Sequence, residues 1–523
     1  MRFFWALIVV ICITLVAYTT IDKMNLFDKK VSADSEKSTP AERISLIDPE
    51  EANEDSTFTE ENEVVDSSKS EMVNSSKMAV TSDAAVPDAA VKATLAGNVR
   101  DLPLFGFNGE TTRSPSWSNS AFRDSTASLH LKVIRYPGGG VSNFWDWRKG
   151  WFVDKAPENL QGVEELRTYK YTDPRGLNDL KLLVNETGCD VVFVLNMVTK
   201  DLNDQLAMLQ AAQSLGIPVK WLELGNEFYL PKSPGKQKFA TPAIYGEAAE
   251  QWITAIKKSF PNVKTAVIGT GAQAWNDAVL KNAPSADAIV AHVYPTPNSV
   301  IDETGISFSK LYNALTKKDQ NFKVGVKKIP VWVTEYNIHW AATIKGLDKS
   351  EKSKIQNYAF SWAQALATIM MTSNAATLTN NVPIVLNHDI GNWNNFAALD
   401  VQKKTFKKLP SGMGMELWLK ASDGMTTMQK IDINSMQEYE ALGWKFSNPN
   451  TSKSAFLITN FTDSPVTVDL SSVLQNSASL NYRIESADKN APINGWKDVH
   501  IQTGEMQNNT LQLPAYGIAT ISQ

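Results

Sequence analysis

The 523-residue chain is short of the groups that would point to metal or redox chemistry: it has two cysteines and five histidines. Two thiols cannot make a disulfide framework or a four-thiolate zinc site. The histidines show no His-x-x-x-His or acidic-ligand spacing, so neither a metal nor a cofactor is expected. A basic excess is also missing. The net charge of −5 gives no footprint for nucleic acid. No Gly-rich loop follows the first strand candidate, which counts against a doubly wound dinucleotide-binding sheet. With 43% hydrophobic and 20% charged residues, wholesale disorder, a collagen-like chain and a multi-span membrane protein are excluded.

The charge is unevenly spread. Residues 3–18, FFWALIVVICITLVAY, form one apolar run behind Met1 and Arg2. Residues 1–30 therefore read as a signal peptide or an N-terminal membrane anchor, which implies export to the medium, the periplasm or the cell envelope. Residues 31–95 carry 15 acidic and 5 basic side chains and one aromatic, Phe58. Such a segment cannot bury enough apolar surface to offset the entropy of ordering, and it reads as a disordered acidic linker. The rest, 96–523, is then slightly basic at +3 and holds 14 of the 15 Trp.

From residue 103 onward, short Val/Ile-rich runs alternate with helical segments. The strand candidates are Leu104–Phe107, Leu131–Arg135, Asp190–Met197, Lys220–Gly225, Lys264–Gly269, Ala288–Tyr294, Val331–Glu335 and Pro383–Asn387. They are continuously apolar, as strands buried on both faces should be. Asp173-Pro174 opens one helix and Gly188 closes it. Leu202, Leu206, Leu209, Ala212 and Leu215 make a stripe stopped by Gly216, and Thr241-Pro242 opens the next helix. Eight such units in about 320 residues predict an α/β fold, a (β/α)8 TIM barrel over 96–421. After Ser422 the helical periodicity gives way to short runs between Asn, Ser, Asp and Pro. Residues 422–523 read as an antiparallel β-sandwich.

In such a barrel, polar residues at the C-terminal strand ends form the site. The ends here carry Asn108 (strand 1), Arg135 (strand 2), Asn196 (strand 3), Asn226-Glu227 (strand 4), His292 and Tyr294 (strand 6), Glu335 (strand 7) and His388 (strand 8). Glu227 and Glu335 face each other across the mouth. A carboxylate pair can divide nucleophilic and acid/base work. One member must stay ionised, for which Arg135 and Tyr294 are at hand, while its charge helps the other to hold a proton. Strict alternation would put Asn226 and Glu227 on opposite faces, so a bulge or bend is expected there.

These residues resemble glycoside hydrolase clan A, the retaining (β/α)8 glycosidases. RYPGG, GNE, HVY and the trailing β-sandwich are most similar to its arabinofuranosidase-like and heparanase-like branches. The resemblance implies that Glu227 in WLELGNEFYL is the acid/base and Glu335 in IPVWVTEYNIHW the nucleophile. It implies that Asn226 meets the sugar 2-hydroxyl, and that Arg135 and Tyr294 contact the nucleophile with His292 beside them. Each motif alone also fits a turn or a helix cap; four in order on the right strands make the stronger pattern. The clan usually has a Trp ending strand 8. Here Asn387-His388-Asp389 stands there, with Trp393 shortly after as a candidate replacement.

The long loop after strand 2 carries Trp145, Trp147 and Trp151 with Arg148 and Lys149. The indoles could stack on sugars or pack the loop, and the basic pair could meet an acidic sugar. Trp340, five residues past Glu335, is the better candidate for a cleft indole. The expected partner is a polysaccharide or oligosaccharide, either hydrolysed with retention or, in the alternatives, merely bound on a barrel scaffold or displayed by an envelope adhesion protein. Arabinofuranosides, glucuronides, xylosides and acidic galactans all remain open as substrates.

Overall fold

The computed structural model describes residues 90–154, 173–325, 329–339, 348–391, 397–474, 480–506 and 509–522. Residues 1–89, on which the expected export segment and most of the expected acidic linker fall, and Trp340 and Trp393 lie outside the described residues.

Eight parallel strands close into a barrel: Leu104–Asn108, Val133–Tyr136, Asp190–Val194, Trp221–Glu223, Lys264–Ile268, Ala288–Val293, Val331–Tyr336 and Ile384–Asn387. Each pairs with the next in sequence, and the eighth returns to the first through Ile384↔Leu104 to Asn387↔Phe107. All eight lie where the sequence places them. Their inward positions form one interior layer: Val133, Val192, Ala266, Ala288, Val290, Trp332, Ile384 and Leu386, with Leu104 and Trp221 against them. Trp221 and Trp332 meet edge to face at 5.5 Å between centroids. Two large indoles fill the barrel axis and leave no channel through it.

The helices between strands follow the punctuation in most places. Leu202–Ser214 is capped by the Asp201 side chain, and Pro242–Ser259 by the Thr241 hydroxyl with Pro at its first turn. One start is corrected. Asp173-Pro174 does not open its helix, which runs Leu177–Thr187 from Gly176. The backbone N–H of Arg175 is spent on Gly150 O at 2.7 Å and its Nε on Ser114 O at 3.0 Å, so residues 173–176 stay extended against the neighbouring loops. Gly188 ends that helix in the left-handed region (φ 67°), as expected.

The accessory domain is a nine-stranded arrangement. From one edge its order is His500–Glu505, Asn481–Ser486, Ile518–Ser522, Lys453–Asn460, Ala441–Asn448, Thr427–Ile433, Val91–Asp101, Val466–Asp469 and Thr510–Leu513. Pairing is antiparallel except where Val91-Lys92 lies parallel to Val468-Asp469. Val91–Asp101 bridges the two sheets, with a register shift between Ala96 and Arg100. The sequence boundary at residue 95 therefore falls inside an accessory strand, and the domain is built from both sides of the barrel in sequence. A single strand in which only Ala93 is buried gives little periodic signal before its partners are known.

Alternation decides which face goes where. Ile431, Ile433, Ala441, Phe456, Ile458, Ala519 and Ile521 point into the sandwich interior. Met428, Leu442, Trp444, Phe446, Leu457 and Ile518 point the other way and join the barrel core. Trp418, on the last barrel helix Pro410–Ala421, touches Phe105, Trp444 and Phe446 edge-on at 5.4–6.2 Å. Barrel and accessory sheet thus share one hydrophobic core.

Candidate active site

The site begins as a parity effect. On strand two, Val133 is in the interior layer, so Arg135 is the next inward residue up. On strand four the same rule carries Trp221 to Glu223, and on strand six Val290 to His292 and Tyr294. Arg135 is fully buried and all its donors are used. Nε and Nη2 form a fork onto the two oxygens of Glu223 at 2.8 and 2.6 Å. Nη2 also donates to Asn226 Oδ1 at 2.8 Å, and Nη1 to Glu335 Oε1 at 2.5 Å and Asn108 Oδ1 at 3.1 Å. Planar guanidinium geometry suits this many fixed acceptors; an ammonium would satisfy fewer of them.

Glu335 breaks parity, since Trp332 and Thr334 are the inward residues of strand seven. The register of this strand shifts between Val333 and Glu335, and that bulge turns the carboxylate into the mouth. There Tyr294 Oη donates to Glu335 Oε2 at 2.7 Å. Burial pulls the Glu335 pKa up, but the charges of His292 and Arg135 and the Tyr294 hydrogen bond outweigh it and bring the pKa to about 2. The same contact works in reverse on Tyr294: burial and the Glu335 charge push its hydroxyl well above the ordinary tyrosine value.

Strand four needs the expected bend, and it has one. Gly225 adopts φ 88° and Glu227 φ 50°. A Cβ at residue 225 would lie 2.2 Å from the Phe228 ring, so only glycine fits. The bend sends both Asn226 and Glu227 inward. Glu227 Oε1 accepts from His292 Nδ1 at 2.8 Å and from Tyr229 Oη at 2.9 Å. His292 Nε2 lies 3.2 Å from Thr334 Oγ1. Burial lowers the His292 pKa, yet the Glu335 charge and the Glu227 hydrogen bond prevail and raise it above its ordinary value.

Asn108 and His388 join at the first and eighth strand ends. Arg135 fixes the amide so that Asn108 Nδ2 donates to His388 Nδ1 at 2.7 Å. His388 Nδ1 is 3.9 Å from Glu335 Oε2, so this histidine stands at the mouth beside Glu335. Tyr294 is flanked edge-on by His388 and His339 at 5.8 and 5.7 Å. Asn196 behaves differently. Its Oδ1 accepts from the Val198 and Thr199 amides and its Nδ2 donates to Trp145 O and Thr199 Oγ1. The side chain shapes the loop after strand three and has no donor or acceptor left for a ligand.

The indoles of the long loop pack it. Trp145 is buried and donates to Tyr136 Oη at 3.2 Å, and Trp147 donates to Asp204 Oδ2 at 3.2 Å. Arg148 pairs with Asp204 and stacks over Trp147, and Lys149 pairs with Asp154. Sequence reasoning missed Glu223, Tyr229 and Thr334. The parity of Trp221-Leu222-Glu223 and of Trp332-Val333-Thr334 could have found Glu223 and Thr334; nothing local marks Tyr229. Among the described residues, two groups have a ligand atom each within 4.8 Å of the others: Glu227, His292 and Glu335, and Glu110, His388 and Asp389. In the first, Arg135 already bonds Glu335 and His292 already bonds Glu227.

No protein-family model matches this chain, and no curated protein does. Solved structures do. An α-L-arabinofuranosidase from Thermotoga maritima, seen with arabinose, matches with a TM-score of 0.62 at 16% identity, over 83% of this chain and 100% of its own. A family 51 α-L-arabinofuranosidase from Bifidobacterium longum gives 0.63 at 17%, over 84% and 100%. A 4-O-α-L-rhamnosyl-β-D-glucuronidase from Fusarium oxysporum gives 0.55 at 13%, over 83% and 99%. The barrel with its accessory β domain is the fold of these proteins.

Proposed function

We propose that this protein is a retaining glycoside hydrolase that cleaves a polysaccharide or oligosaccharide by double displacement. The observation that carries the reading is the approach of Glu227 and Glu335: a carboxylate oxygen of each lies within 4.8 Å of the other, from strands four and seven. Carboxyls about 5–5.5 Å apart suit covalent catalysis, whereas inverting enzymes separate theirs by about 6.5–9.5 Å to admit a water.

Glu335 is the nucleophile in this reading, because the charges of His292, His388 and Arg135 and the Tyr294 hydrogen bond favour its ionised form. It attacks the anomeric carbon while Glu227 gives its proton to the departing oxygen. Glu227 then takes a proton from water, whose oxygen displaces Glu335 and frees the sugar. Asn226 Oδ1 is fixed by Arg135, and its Nδ2 has no partner among the described residues; it is the donor for the sugar 2-hydroxyl. Residues 1–30 and the acidic stretch ahead of the Val91–Asp101 strand serve export and tethering in the same proposal. Among the described residues no helix is long and apolar enough to cross a membrane.

The test is product analysis on a glycoside panel that begins with α-L-arabinofuranosides and glucuronides, the substrate types in the names of the fold-mates. Hydrolysis with retained anomeric configuration is expected, lost in Glu335→Gln with the fold intact. Activity of Glu335→Gln within tenfold of wild type would overturn the assignment. Binding without turnover would favour a glycan-binding protein on the same scaffold.

A further inference from the structure

We infer that Tyr229 is a positioning residue for Glu227: with His292 it claims one carboxyl oxygen and leaves the other, Oε2, as the atom that exchanges the catalytic proton. This rests on the reaction proposed above and adds a residue to it. Tyr229 Oη and His292 Nδ1 both converge on Glu227 Oε1, at 2.9 and 2.8 Å. An sp² carboxyl oxygen has two lone pairs, and these two donors use both. Oε2 has no donor or acceptor within hydrogen-bond reach among the described residues. A proton added to Glu227 therefore goes on Oε2.

The arrangement serves both half-reactions. With Oε2 protonated, Oε1 is the carbonyl oxygen of the acid and still accepts from both donors. As the glycosidic C–O bond breaks, its electron pair goes to the leaving oxygen, which takes the Oε2 proton. The carboxylate left behind keeps the same two donors, and Oε2 then takes a proton from the incoming water. The side chain need not rotate between the steps, which is the value of a fixed geometry.

Tyr229 is itself anchored. Its ring meets Trp275 edge-on at 6.0 Å, and Trp275 is held by Nε1–H to Ile268 O at 3.1 Å and by stacking on Tyr245 at 6.5 Å. Tyr245 in turn donates from its hydroxyl to Leu224 O, in the strand-four bend, at 2.7 Å. The aromatic group that aims Tyr229 is thus tied to the backbone that carries Glu227.

Tyr229→Phe removes one hydroxyl and keeps the ring packing. The experiment measures kcat/KM for aryl glycosides of graded leaving-group acidity, on the sugar that wild type hydrolyses. Acid assistance matters least for a dinitrophenolate and most for an alkoxide. The variant should lose about tenfold or more on poor leaving groups and at most about threefold on the dinitrophenyl glycoside, which steepens the leaving-group dependence. An equal loss on every substrate, or no loss, overturns the inference, because a merely structural defect does not sort substrates by leaving group. A thermal midpoint matching wild type confirms the fold. If wild type hydrolyses none of the glycosides, the proposed reaction fails; if wild type is active and the dependence stays flat in the variant, only the role of Tyr229 fails.

Discussion

The two walls of the cleft hold chemically identical side chains in opposite ways. On the strand-seven side, Glu335 has both oxygens engaged, by a guanidinium and a phenol, and its side chain is 6% exposed. On the strand-four side, Glu227 has one oxygen engaged and the other open, and it is 24% exposed. The first setting suits a group that must never be protonated. The second suits one that must exchange a proton with something outside the protein. The difference lies in what parity and one glycine bring next to each carboxylate.

The comparison breaks first at the glutamates themselves. Glu335→Ala should lose about 10⁵-fold in kcat, as expected for removal of a nucleophile. Glu227→Ala should lose about 10²–10⁴-fold, the worth of general acid/base catalysis. Added azide sharpens the distinction through stereochemistry. It fills the space left in Glu335→Ala and gives a glycosyl azide of inverted configuration, whereas in Glu227→Ala it gives the retained one. Nuclear magnetic resonance of the products reads this directly, and the same configuration from both variants would mean the roles are misassigned.

Arg135 is the next lever, since it belongs to the strand-seven wall and also reaches Glu223. Arg135→Met strips from two buried carboxylates, Glu223 and Glu335, the guanidinium that pairs with both, which should cost about 3–5 kcal/mol and a large part of the activity. The deficit should shrink as the pH falls and Glu335 takes up a proton. A stability gap that does not change with pH would show that packing, and not charge, is what Arg135 supplies.

A smaller effect is expected in the acid stability of the intact protein. The folded pKa of Glu335 is depressed to about 2 from its ordinary value of 4.5. Its contribution is therefore fully present above pH 4.5 and is lost as the pH falls through about 2; for one buried group it is on the order of 3 kcal/mol. The His292 pKa is raised, so its contribution is present below the ordinary histidine value and is lost as the pH rises through the folded one. Thermal midpoints of wild type against Glu335→Gln should converge between pH 4.5 and 2. Parallel curves would mean that Glu335 is not held ionised.

Much of this was legible in the sequence because barrel strands are local signals. Eight apolar runs, each ending in polar residues, place Asn108, Arg135, Asn226, Glu227, His292, Tyr294, Glu335 and His388 at one face, and the structure gathers all of them. Asn196 sits at the same kind of position but turns to its own loop, since the Val198 and Thr199 amides reach it first. Thr334 meets His292 from another strand, 42 residues away, a contact that no run of local sequence marks, and Tyr229 reaches Glu227, two residues away, across the bend that follows Gly225. Val91–Asp101 is the same case in the fold: its pairing with Thr427–Ile433 is set by residues more than three hundred positions away.

The smallest expected effect separates the cleft from its rim. Arg148 looks like a cation for an acidic sugar, but its guanidinium is engaged by Asp204 and lies 4.2 Å over the Trp147 ring, which itself donates to Asp204. With its side chain 53% exposed, that pair is worth about 1 kcal/mol or less. Arg148→Ala should therefore leave KM for neutral and acidic substrates in the same ratio and lower the thermal midpoint only slightly. Trp147→Ala should cost more stability, since it removes the ring that packs the loop, and it should shift both KM values together. A selective loss of affinity for uronate or sulfated substrates in Arg148→Ala would move this loop from scaffold to binding surface, and the contrast between the walls would then extend beyond the two glutamates.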